Sequence, residues 1–587
     1  MNRTNFMMIC RTLRRRAPHI LAKDQHDSRA SVSAVESKSS IMVFWAAAFL
    51  LFFWALGDRG LWGSEGRWAE IVREMFLTGD FFHPTINGEP YFDKPLLTYW
   101  LIALVSAVTG RLDEWIVRLP SAISGLLALW ATVYLGQKLW SKQVGRTAGW
   151  IVLTSYGILF WARTGSADME NLAVITMAVA WYWARRERPN FCTYLVFYLI
   201  CFLGANCKGL TAVAVPILGV IPDILRERRW RALLSVSHLL ALSIGMVAYL
   251  APFIWATMTR EGYQASGLGL VFRENILRYF QPFDHKESFY VYLYYVPELF
   301  LPWTPLFLTA LWGAFASLKR LDRKTRWLAK AMAVIFLFFS VSGSRRNYYI
   351  LPILPFCALF ASVFLNTEGK KGRKRLGFRL QAGLFALISV IEILSPAIWP
   401  ILKERLGFVP PGDFMLAAQV LGLLALVPLA LGYLRPGLLA NFTGTSENAA
   451  PLVVAATIVM GGFFCWQQGN LEAYRSERPF AMELKAQVAG FSPKDIAFYH
   501  KVSTNSLFYL DLPEPIGVLK DSDAVQSFVE SGKGNKVLVS TRKDYESLLP
   551  ALPAGLGGQP TLSEKVYPWE RKSKKKLMAR EIKGNEE

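Results

Sequence analysis

Apolar runs long enough to cross a bilayer recur along most of the chain and are separated by short polar loops. A helix needs about 17 to 25 apolar residues to span the hydrocarbon core. The pattern therefore predicts an all-α polytopic membrane domain over residues 41–467. We expect about thirteen spans, at residues 41–57, 115–137, 147–163, 168–184, 191–207, 209–225, 232–257, 289–317, 327–343, 347–365, 380–401, 414–434 and 450–467.

One further apolar run, residues 95–110, is shorter and starts at a proline, so we interpret it as an interfacial or re-entrant helix. With this run not crossing, every basic loop falls on the same side as the basic N-terminal segment 1–40. Excess Lys and Arg are typical of cytoplasmic loops. The exoplasmic face then receives a loop at 58–114, a second loop at 258–288 and everything after about residue 468.

The pattern changes after the last span, where short β-branched or aromatic runs alternate with helical patterns. This alternation predicts a small exoplasmic α/β domain over residues 468–587 that ends in a basic tail, Arg571–Lys576. The predicted strands are Asp495–His500, Ile516–Leu519 and Lys536–Ser540, and the predicted helices are Asp523–Glu530 and Lys543–Leu549.

Composition agrees with a membrane protein, because 53% of the residues are hydrophobic and the mean hydropathy is +0.27. The net charge of +21 comes largely from Lys and Arg in loops, which suits anchoring at a membrane surface better than binding nucleic acid. The six cysteines lie in or beside apolar runs, except for Cys10 in the basic N-terminus. No disulfide or zinc framework follows from their spacing.

The segment 58–100, directly after the first span, is long and rich in charge, Trp, Gly and Pro. Ordered loops of this length are uncommon and often functional. Any one of the ionisable residues on this face is explained by a solvated or snorkelling charge. As a set, they suit a reaction on a lipid-linked anion, in which cations hold a phosphate and a carboxylate removes a proton. The set is Glu65, Asp93, Lys94, Arg163, Asp168, Glu170, Lys208, Glu274, Arg278, Arg345 and Arg346.

Several motifs follow one another between residues 41 and 365. They are Leu-Trp-x-x-Glu-x-Arg-Trp-Ala-Glu-Ile at 61–71, Arg-Glu-Met-x-x-x-Gly-Asp at 73–80, Pro-x-x-Asn-Gly-x-Pro-Tyr-Phe-Asp-Lys-Pro at 84–95, Arg-Leu-Pro-Ser-Ala at 118–122, Lys-Gly at 208–209, Arg-Glu-Asn-Ile at 273–276 and Ser-Gly-Ser-Arg-Arg-Asn-Tyr-Tyr-Ile-Leu-Pro at 342–352. In these motifs the chain resembles the integral-membrane glycosyltransferases that include the lipid A aminoarabinose transferase and the protein O-mannosyltransferases.

The resemblance implies a C-type glycosyltransferase fold in the bacterial inner membrane, with the C-terminal domain in the periplasm. It implies transfer of a sugar, with inversion, from a polyprenyl phosphate to a hydroxyl or phosphate of lipid A, a glycan or a protein. The expected partners are therefore this lipid-linked donor, the acceptor and membrane lipids, without nucleic acid. We expect the chain to act as a monomer.

The chain departs from the family at one catalytic position, because Ser64-Glu65 stands where relatives usually carry Asp-Glu. A serine hydroxyl is a poor base, whereas a glutamate with an ordinary pKa is ionised at neutral pH. We therefore expect Glu65 to activate the acceptor and Asp168 to support or share that role. The structural alternatives are, for Glu65, a salt bridge to Arg67 or a charge at the start of a helix and, for Asp168, a helix N-cap.

Lys94 is the first candidate for the donor phosphate, followed by Arg346 and Lys208. One branch of the family holds a metal where Asp93 and Glu274 fall, but Asn275 replaces its histidine, so we expect no cofactor beyond a weakly held divalent ion. The substrate-binding residues that the resemblance implies are Lys94, Asp93, Arg67, Lys208, Glu274, Asn275, Arg278, Arg346 and Tyr349.

Two other functions stay open. A relative that only binds polyprenyl phosphate fits the loss of the usual acid at Ser64. A transporter of lipid-linked sugars would also be polytopic with intramembrane charge, although it does not need the polar segment 58–100.

Overall fold

The computed structural model describes residues 38–260, 269, 272–273, 277–281, 286–317, 319, 321–366, 371–406, 412–468, 472–531, 534–548, 559–565 and 575–583. The predicted N-terminal segment, apart from residues 38–40, lies outside these residues. So does much of the predicted loop 258–288, including Glu274 and Asn275, and most of the predicted basic tail.

The first half of the chain forms helices separated by short turns. They are α1 (Lys38–Phe53), α2 (Glu65–Thr78), α3 (Leu97–Thr109), α4 (Glu114–Leu139), α5 (Lys142–Leu153), α6 (Tyr156–Ala162), α7 (Asp168–Arg185), α8 (Phe191–Lys208), α9 (Thr211–Arg226) and α10 (Val236–Thr259), with a 3₁₀ turn at Arg229–Leu234.

Helices continue to residue 465. They are α11 (Arg278–Phe280), α12 (Tyr292–Leu299), α13 (Thr304–Phe315), α14 (Arg323–Val341), α15 (Leu354–Asn366), α16 (Lys371–Ile393), α17 (Ser395–Leu406), α18 (Gly412–Leu434), α19 (Pro436–Thr443) and α20 (Ala450–Cys465). A 3₁₀ segment, Asn347–Ile353, leads into α15.

Six of the described helical segments are long and apolar enough to cross a membrane: Glu114–Leu139, Phe191–Lys208, Val236–Thr259, Asn347–Asn366, Gly372–Ile393 and Asp413–Leu434. Shorter apolar helices, such as α1 and α20, pack in one large apolar cluster with four of these segments, whereas Phe191–Lys208 and Val236–Thr259 belong to a second cluster. The chain is therefore a multi-pass membrane protein, although the predicted count of thirteen spans is not confirmed.

Three predicted single spans are broken in the structure. The predicted span 147–163 starts earlier, at Lys142, and breaks between α5 and α6, where the hydroxyls of Thr154 and Ser155 donate to carbonyls four residues back. Such side-chain bonds compete with the helical ladder. The predicted spans 289–317 and 380–401 break before α13 and α17, where Pro302 and Pro396 lack the amide that a continuing helix needs.

The run 95–110 forms α3, which has 13 residues. At 1.5 Å per residue it extends only about 20 Å, which is too short for the hydrocarbon core. This length agrees with the interfacial interpretation.

The polar segment between α1 and α3 is ordered. After α2, which ends at the left-handed Gly79, the strands β1 (Thr85–Ile86) and β2 (Glu89–Pro90) form a tight hairpin. Its two turn residues, Asn87 and Gly88, both have positive φ (54° and 76°), as the favoured two-residue hairpin turns require. The carboxylate of Glu74 accepts hydrogen bonds from the amides of both turn residues and so ties the hairpin to α2.

The C-terminal region contains the expected strands: β3 (Ile496–Tyr499), β4 (Gly517–Leu519) and β5 (Lys536–Thr541). With β6 (Leu562–Ser563) and β7 (Leu577–Ile582) they form a five-stranded sheet of order β4-β3-β5-β7-β6, parallel between β4, β3 and β5 and antiparallel beyond. The predicted helices also form. The helices are α21 (Glu472–Arg475), α22 (Arg478–Gln487), α23 (Thr504–Leu510), α24 (Ser522–Glu530) and α25 (Arg542–Leu548).

The sheet region sits directly on the polar segment. Phe508 and Tyr509 of α23 pack in the same apolar cluster as Leu61 and Trp68, and Ile86 of the hairpin packs against the cluster under the sheet. The fold thus holds the segment 58–95 between the membrane helices and the C-terminal sheet.

Candidate active site

A cavity of about 1000 Å³ opens between the polar segment and the ends of several membrane helices. Its described lining comes from the start of α2, the segment Tyr91–Pro95, the start of α7, the junction of α8 and α9, α10, and residues between 273 and 349. The junction is sharp because Gly209 has a φ of 118°, which favours glycine. The structure therefore brings together segments that are more than 250 residues apart.

Asp168 and Lys208 form one wall of this cavity. Asp168 is the first residue of α7 and accepts a hydrogen bond from the ammonium group of Lys208, the last residue of α8. The ammonium nitrogen also lies 5.3 Å and 5.2 Å from the ring centroids of Tyr348 and Tyr349. The N-cap alternative for Asp168 is not observed, because Ala167 is the N-cap residue and Asp168 is the first residue of the helix.

Asp93, Arg67 and Lys94 form a second wall. Arg67 donates to Asp93 Oδ2 over 2.9 Å, the hydroxyl of Tyr91 lies 3.2 Å from the same oxygen, and Lys94 Nζ donates to the backbone carbonyl of Asp93 over 3.0 Å. Burial lowers the pKa of Arg67, but the Asp93 carboxylate together with Tyr99 and Tyr91 raises it by more, so the net pKa of Arg67 is raised. Asp93 Oδ1 is buried without a hydrogen-bond partner among the described residues. The Asp93 carboxylate therefore has one oxygen paired with its neighbours in the wall and the other oxygen buried.

Glu65 lies behind the wall and is fully buried. Arg118 Nε donates to its Oε1 over 2.7 Å and Arg118 Nη2 to its Oε2 over 2.8 Å, in a bidentate pair. The backbone amides of Gly165 and Trp62 also donate to its carboxylate, over 2.7 Å and 3.1 Å, and Arg59 lies 3.6 Å away. Glu65 is not among the residues that line the described cavity.

The electrostatics of Glu65 agree with a structural role. Burial alone would raise the pKa of Glu65, but the charge and hydrogen bonds of Arg118, with Arg59 and the Gly165 amide, hold its pKa below the ordinary value. The carboxylate is thus ionised and saturated with donors. This geometry favours a structural role for Glu65, and its predicted role as acceptor-activating base stays a prediction. Of the structural alternatives, the salt bridge forms with Arg118 and not with Arg67, whereas a charge at the start of a helix agrees with Glu65 as the first residue of α2.

The remaining predicted binding residues divide into two groups. Arg67, Asp93, Lys94, Lys208, Arg278 and Tyr349 line the cavity. Arg346 is exposed and is not among the described lining residues, so its predicted contact with the donor phosphate gains no support here and stays a prediction. Glu274 and Asn275 lie outside the described residues, and the expectation of a weakly held divalent ion therefore stays a prediction.

Sequence reasoning missed Arg118, the partner of Glu65, and the neighbouring Arg59. It named Arg163 as one of the charges on this face but did not identify its partners. Arg118 also donates to the carbonyls of Leu56, Arg59 and Gly60, and Arg163 donates to carbonyls at the end of α1. These bonds bind the start of the polar segment to the membrane helices. The signal was available, since an arginine inside an apolar span, as Arg118 is, needs a buried partner.

The cavity lining combines charged and aromatic side chains. Five cationic and two carboxylate side chains line its described part, so a charge excess favours anionic ligands. Phe253, Phe280, Phe338 and Phe339 line it as well and give it an apolar surface. Such a cavity can bind a molecule that carries both phosphate and an apolar chain.

Sequence comparisons find relatives with one kind of chemistry. Residues 93–255 match the family described as dolichyl-phosphate-mannose-protein mannosyltransferase. The undecaprenyl phosphate-α-4-amino-4-deoxy-L-arabinose arabinosyl transferase of Aeromonas salmonicida is 31% identical over 363 residues, and that of Pseudomonas aeruginosa UCBPP-PA14 is 28% identical over 369. Each alignment covers 60% of this chain and 65% of the relative, so the chain spans less than two thirds of the relatives' length.

The structural comparison covers nearly the whole chain. The crystal structure of ArnT from Cupriavidus metallidurans bound to undecaprenyl phosphate superposes with a TM-score of 0.71 and 20% identity, covering 94% of this chain and 100% of that one. The predicted fold class is therefore confirmed: a C-type glycosyltransferase membrane fold followed by a small C-terminal sheet region.

Proposed function

We propose that this chain, a relative of the polyprenyl-phosphate-dependent integral-membrane glycosyltransferases, transfers a sugar from a polyprenyl phosphate to an acceptor oxygen at the outer face of the inner membrane. The observation that carries this proposal is the cavity itself. It combines an excess of cations, a carboxylate at its edge and an aromatic lining. A lipid-linked sugar phosphate needs all three.

Lys94, Lys208 and Arg278 are the residues we assign to the donor phosphate. They line the cavity from three different segments of the chain. As the bond between the sugar and the phosphate breaks, negative charge grows on the leaving polyprenyl phosphate, and cations placed around it lower the barrier. Arg67 is less available for this step because Asp93 holds it.

Asp168 is the residue we assign to acceptor activation. In inversion, the acceptor oxygen attacks the anomeric carbon opposite the phosphate, and its proton passes to a carboxylate. Of the carboxylates near the cavity, Glu65 is enclosed by donors, and Asp93 has one oxygen bound to Arg67 and the other buried. Asp168 lines the cavity and has one cationic partner among the described residues, Lys208.

The acceptor is a lipid A, glycan or protein oxygen, in line with the relatives' chemistry, and the relatives named as arabinosyl transferases favour a pentose. We further propose that the N-terminus is cytoplasmic and the sheet region periplasmic, because the basic loops then lie inside. Metal is not needed for the steps assigned here. The chain is proposed to act as a monomer.

The test is release of free polyprenyl phosphate by purified protein from undecaprenyl phosphate-aminoarabinose, with lipid A as acceptor. We expect turnover with lipid A, and none with the Asp168→Asn variant. Binding of undecaprenyl phosphate without turnover of any sugar donor would favour the lipid-binding relative instead. Movement of intact donor between leaflets of a proteoliposome without its cleavage would favour a transporter.

Ser64 is the residue that favours the second candidate function, in which the chain binds polyprenyl phosphate without transferring a sugar. It lines the cavity at the position where relatives usually carry an acid. A Ser64→Asp variant separates the two functions, because restoring the acid in an inactive binder should create turnover, whereas an enzyme that relies on Asp168 is already active without it.

Orientation is tested by fusions. Alkaline phosphatase fused near Gly490 should be active, and fused near Gly372 inactive, because the enzyme folds only outside the cytoplasm. The reverse pattern would overturn the orientation and the periplasmic position of the site together.

A further inference from the structure

The sheet region bonds directly to the two ends of the segment that carries Ser64 and Glu65. The backbone amide of Leu61 donates to the hydroxyl of Tyr509 over 2.7 Å, and the amide of Gly66 donates to Asn505 Oδ1 over 3.0 Å. Tyr509 and Asn505 both belong to α23, and both are buried.

Asn505 caps the N-terminus of α2. The first amides of a helix have no partner inside the helix and need an outside acceptor. Ser64 is the N-cap residue of α2, and its side chain makes no capping bond. Asn505 supplies that acceptor from more than 400 residues away, which leaves the Ser64 side chain at the cavity wall.

Gly66 makes this contact possible. A β-carbon at position 66 would lie 2.3 Å from Asn505 Oδ1 and 2.6 Å from the Asn505 backbone atoms N and Cα. Real β-carbons do not approach backbone atoms so closely. The close approach of α23 to α2 thus requires glycine at residue 66.

Both side chains are themselves held. Asn505 Nδ2 donates to Glu477 over 3.3 Å, and Glu477 also accepts from Ser506 Oγ over 2.9 Å. The hydroxyl of Tyr509 donates to Glu114 over 2.9 Å, at the start of the same helix that carries Arg118. Each side chain therefore links a fixed point to a backbone amide of the active-site segment.

We infer that Asn505 and Tyr509 are positioning residues of the active site, through which the C-terminal region sets the place of residues 61–67 at the cavity wall. This inference rests on the proposed function for its kinetic readout. It assigns no contact with substrate to either residue. Displacement of a site segment by about 1 Å can cost on the order of 100-fold in rate.

The test uses the full-length protein with Tyr509→Phe and Asn505→Ala, and Gln526→Ala as matched control. Gln526 lies in α24 of the same region and bonds only to the exposed Glu530 among the described residues. We expect kcat to fall by roughly 10 to 100-fold in the first two variants. The affinity for undecaprenyl phosphate should change less than about threefold, because Lys94 and Lys208 bind from other segments. The control should match the unmodified protein.

Amide hydrogen exchange gives a readout that does not depend on turnover. Residues 61–67 should exchange at least about tenfold faster in both variants, while α7 and α8 keep their protection. Unchanged kcat and unchanged exchange would overturn the inference, and so would equal loss of activity, donor affinity and protection across the whole protein, which means unfolding. If the unmodified protein has no turnover, the proposed function fails, and the exchange result alone decides the positioning role.

Discussion

The first turn of α2 places neighbouring charges in two different environments. On its buried side, Glu65 meets Arg118 and Arg59 with every carboxylate oxygen bonded and no access to the cavity. On its open side, Arg67 meets Asp93 at the wall of a 1000 Å³ cavity. The buried network holds the segment in place, and the open side faces the cavity. Charge near an active site is therefore not evidence of catalysis until its partners are known.

Arg118→Ala should have the largest effect, because it removes the main partner of a fully buried carboxylate. Breaking a buried ion pair by removing one side costs about 3 to 5 kcal/mol. We expect a large drop in melting temperature in detergent and a small folded fraction. The double variant Glu65→Gln with Arg118→Met should recover part of the loss. If Arg118→Ala melted at the same temperature as the unmodified protein, the pair of Glu65 and Arg118 would not stabilise the fold.

Asp168→Asn should act on the open side alone. It keeps the size of the side chain but removes the base, so we expect kcat to fall by about 100-fold or more, since general bases contribute 10²- to 10⁴-fold. The melting temperature and the affinity for undecaprenyl phosphate should stay near normal. Turnover of Asp168→Asn at the rate of the unmodified protein would mean that another group is the base. It would also mean that Asp168 and Glu65 do not differ in the way proposed.

Lys94→Ala should weaken donor binding, because a charged hydrogen bond is worth about 1.5 to 3 kcal/mol. This corresponds to about 10 to 100-fold in affinity for undecaprenyl phosphate. Arg346→Ala is the matched control, since Arg346 is exposed outside the described cavity lining, and it should bind normally. Equal losses in both variants would restore the contact that the sequence predicted for Arg346.

Lowering the pH should have the smallest effect of these tests, and it should reduce the stability of the folded protein through Glu65 on the buried side. The folded protein holds the pKa of Glu65 below that of the unfolded chain, about 4.3, so the unfolded state takes up a proton first as pH falls. The stability from this pair is fully present above about pH 5 and is lost as pH drops through the lowered folded pKa. Glu65→Gln should flatten this acid limb by up to one proton, about 1.4 kcal/mol per pH unit. Parallel curves of melting temperature against pH for both proteins would refute this.

The sequence predicted much of the fold because its signals are local. The strands Ile496–Tyr499 and Lys536–Thr541 follow β-branched and aromatic runs, and α3 follows a short apolar run with a proline at its start. Breaks inside spans were missed at Thr154 and Ser155, since their hydroxyl bonds to carbonyls are invisible in hydropathy. Strands β6 and β7 were missed because they depend on pairing with β5.

The site was predicted only in part, for a related reason. Lys94, Asp168 and Lys208 were identified from motifs and do meet in one cavity. The role of Glu65 could not be deduced, because Arg118 lies 53 residues away along the chain and its direction depends on how α4 packs.

The bonds from α23 to the start of α2 also set an order of assembly. Gly66 is synthesised 439 residues before its partner Asn505. At ordinary rates of elongation this interval is roughly 20 to 90 s. During that time the membrane helices can already be inserted, but the segment at the cavity wall lacks its cap. A nascent chain can therefore insert into the membrane before the cap of α2 exists. The wall of the cavity is completed only after the last fifth of the chain has been synthesised.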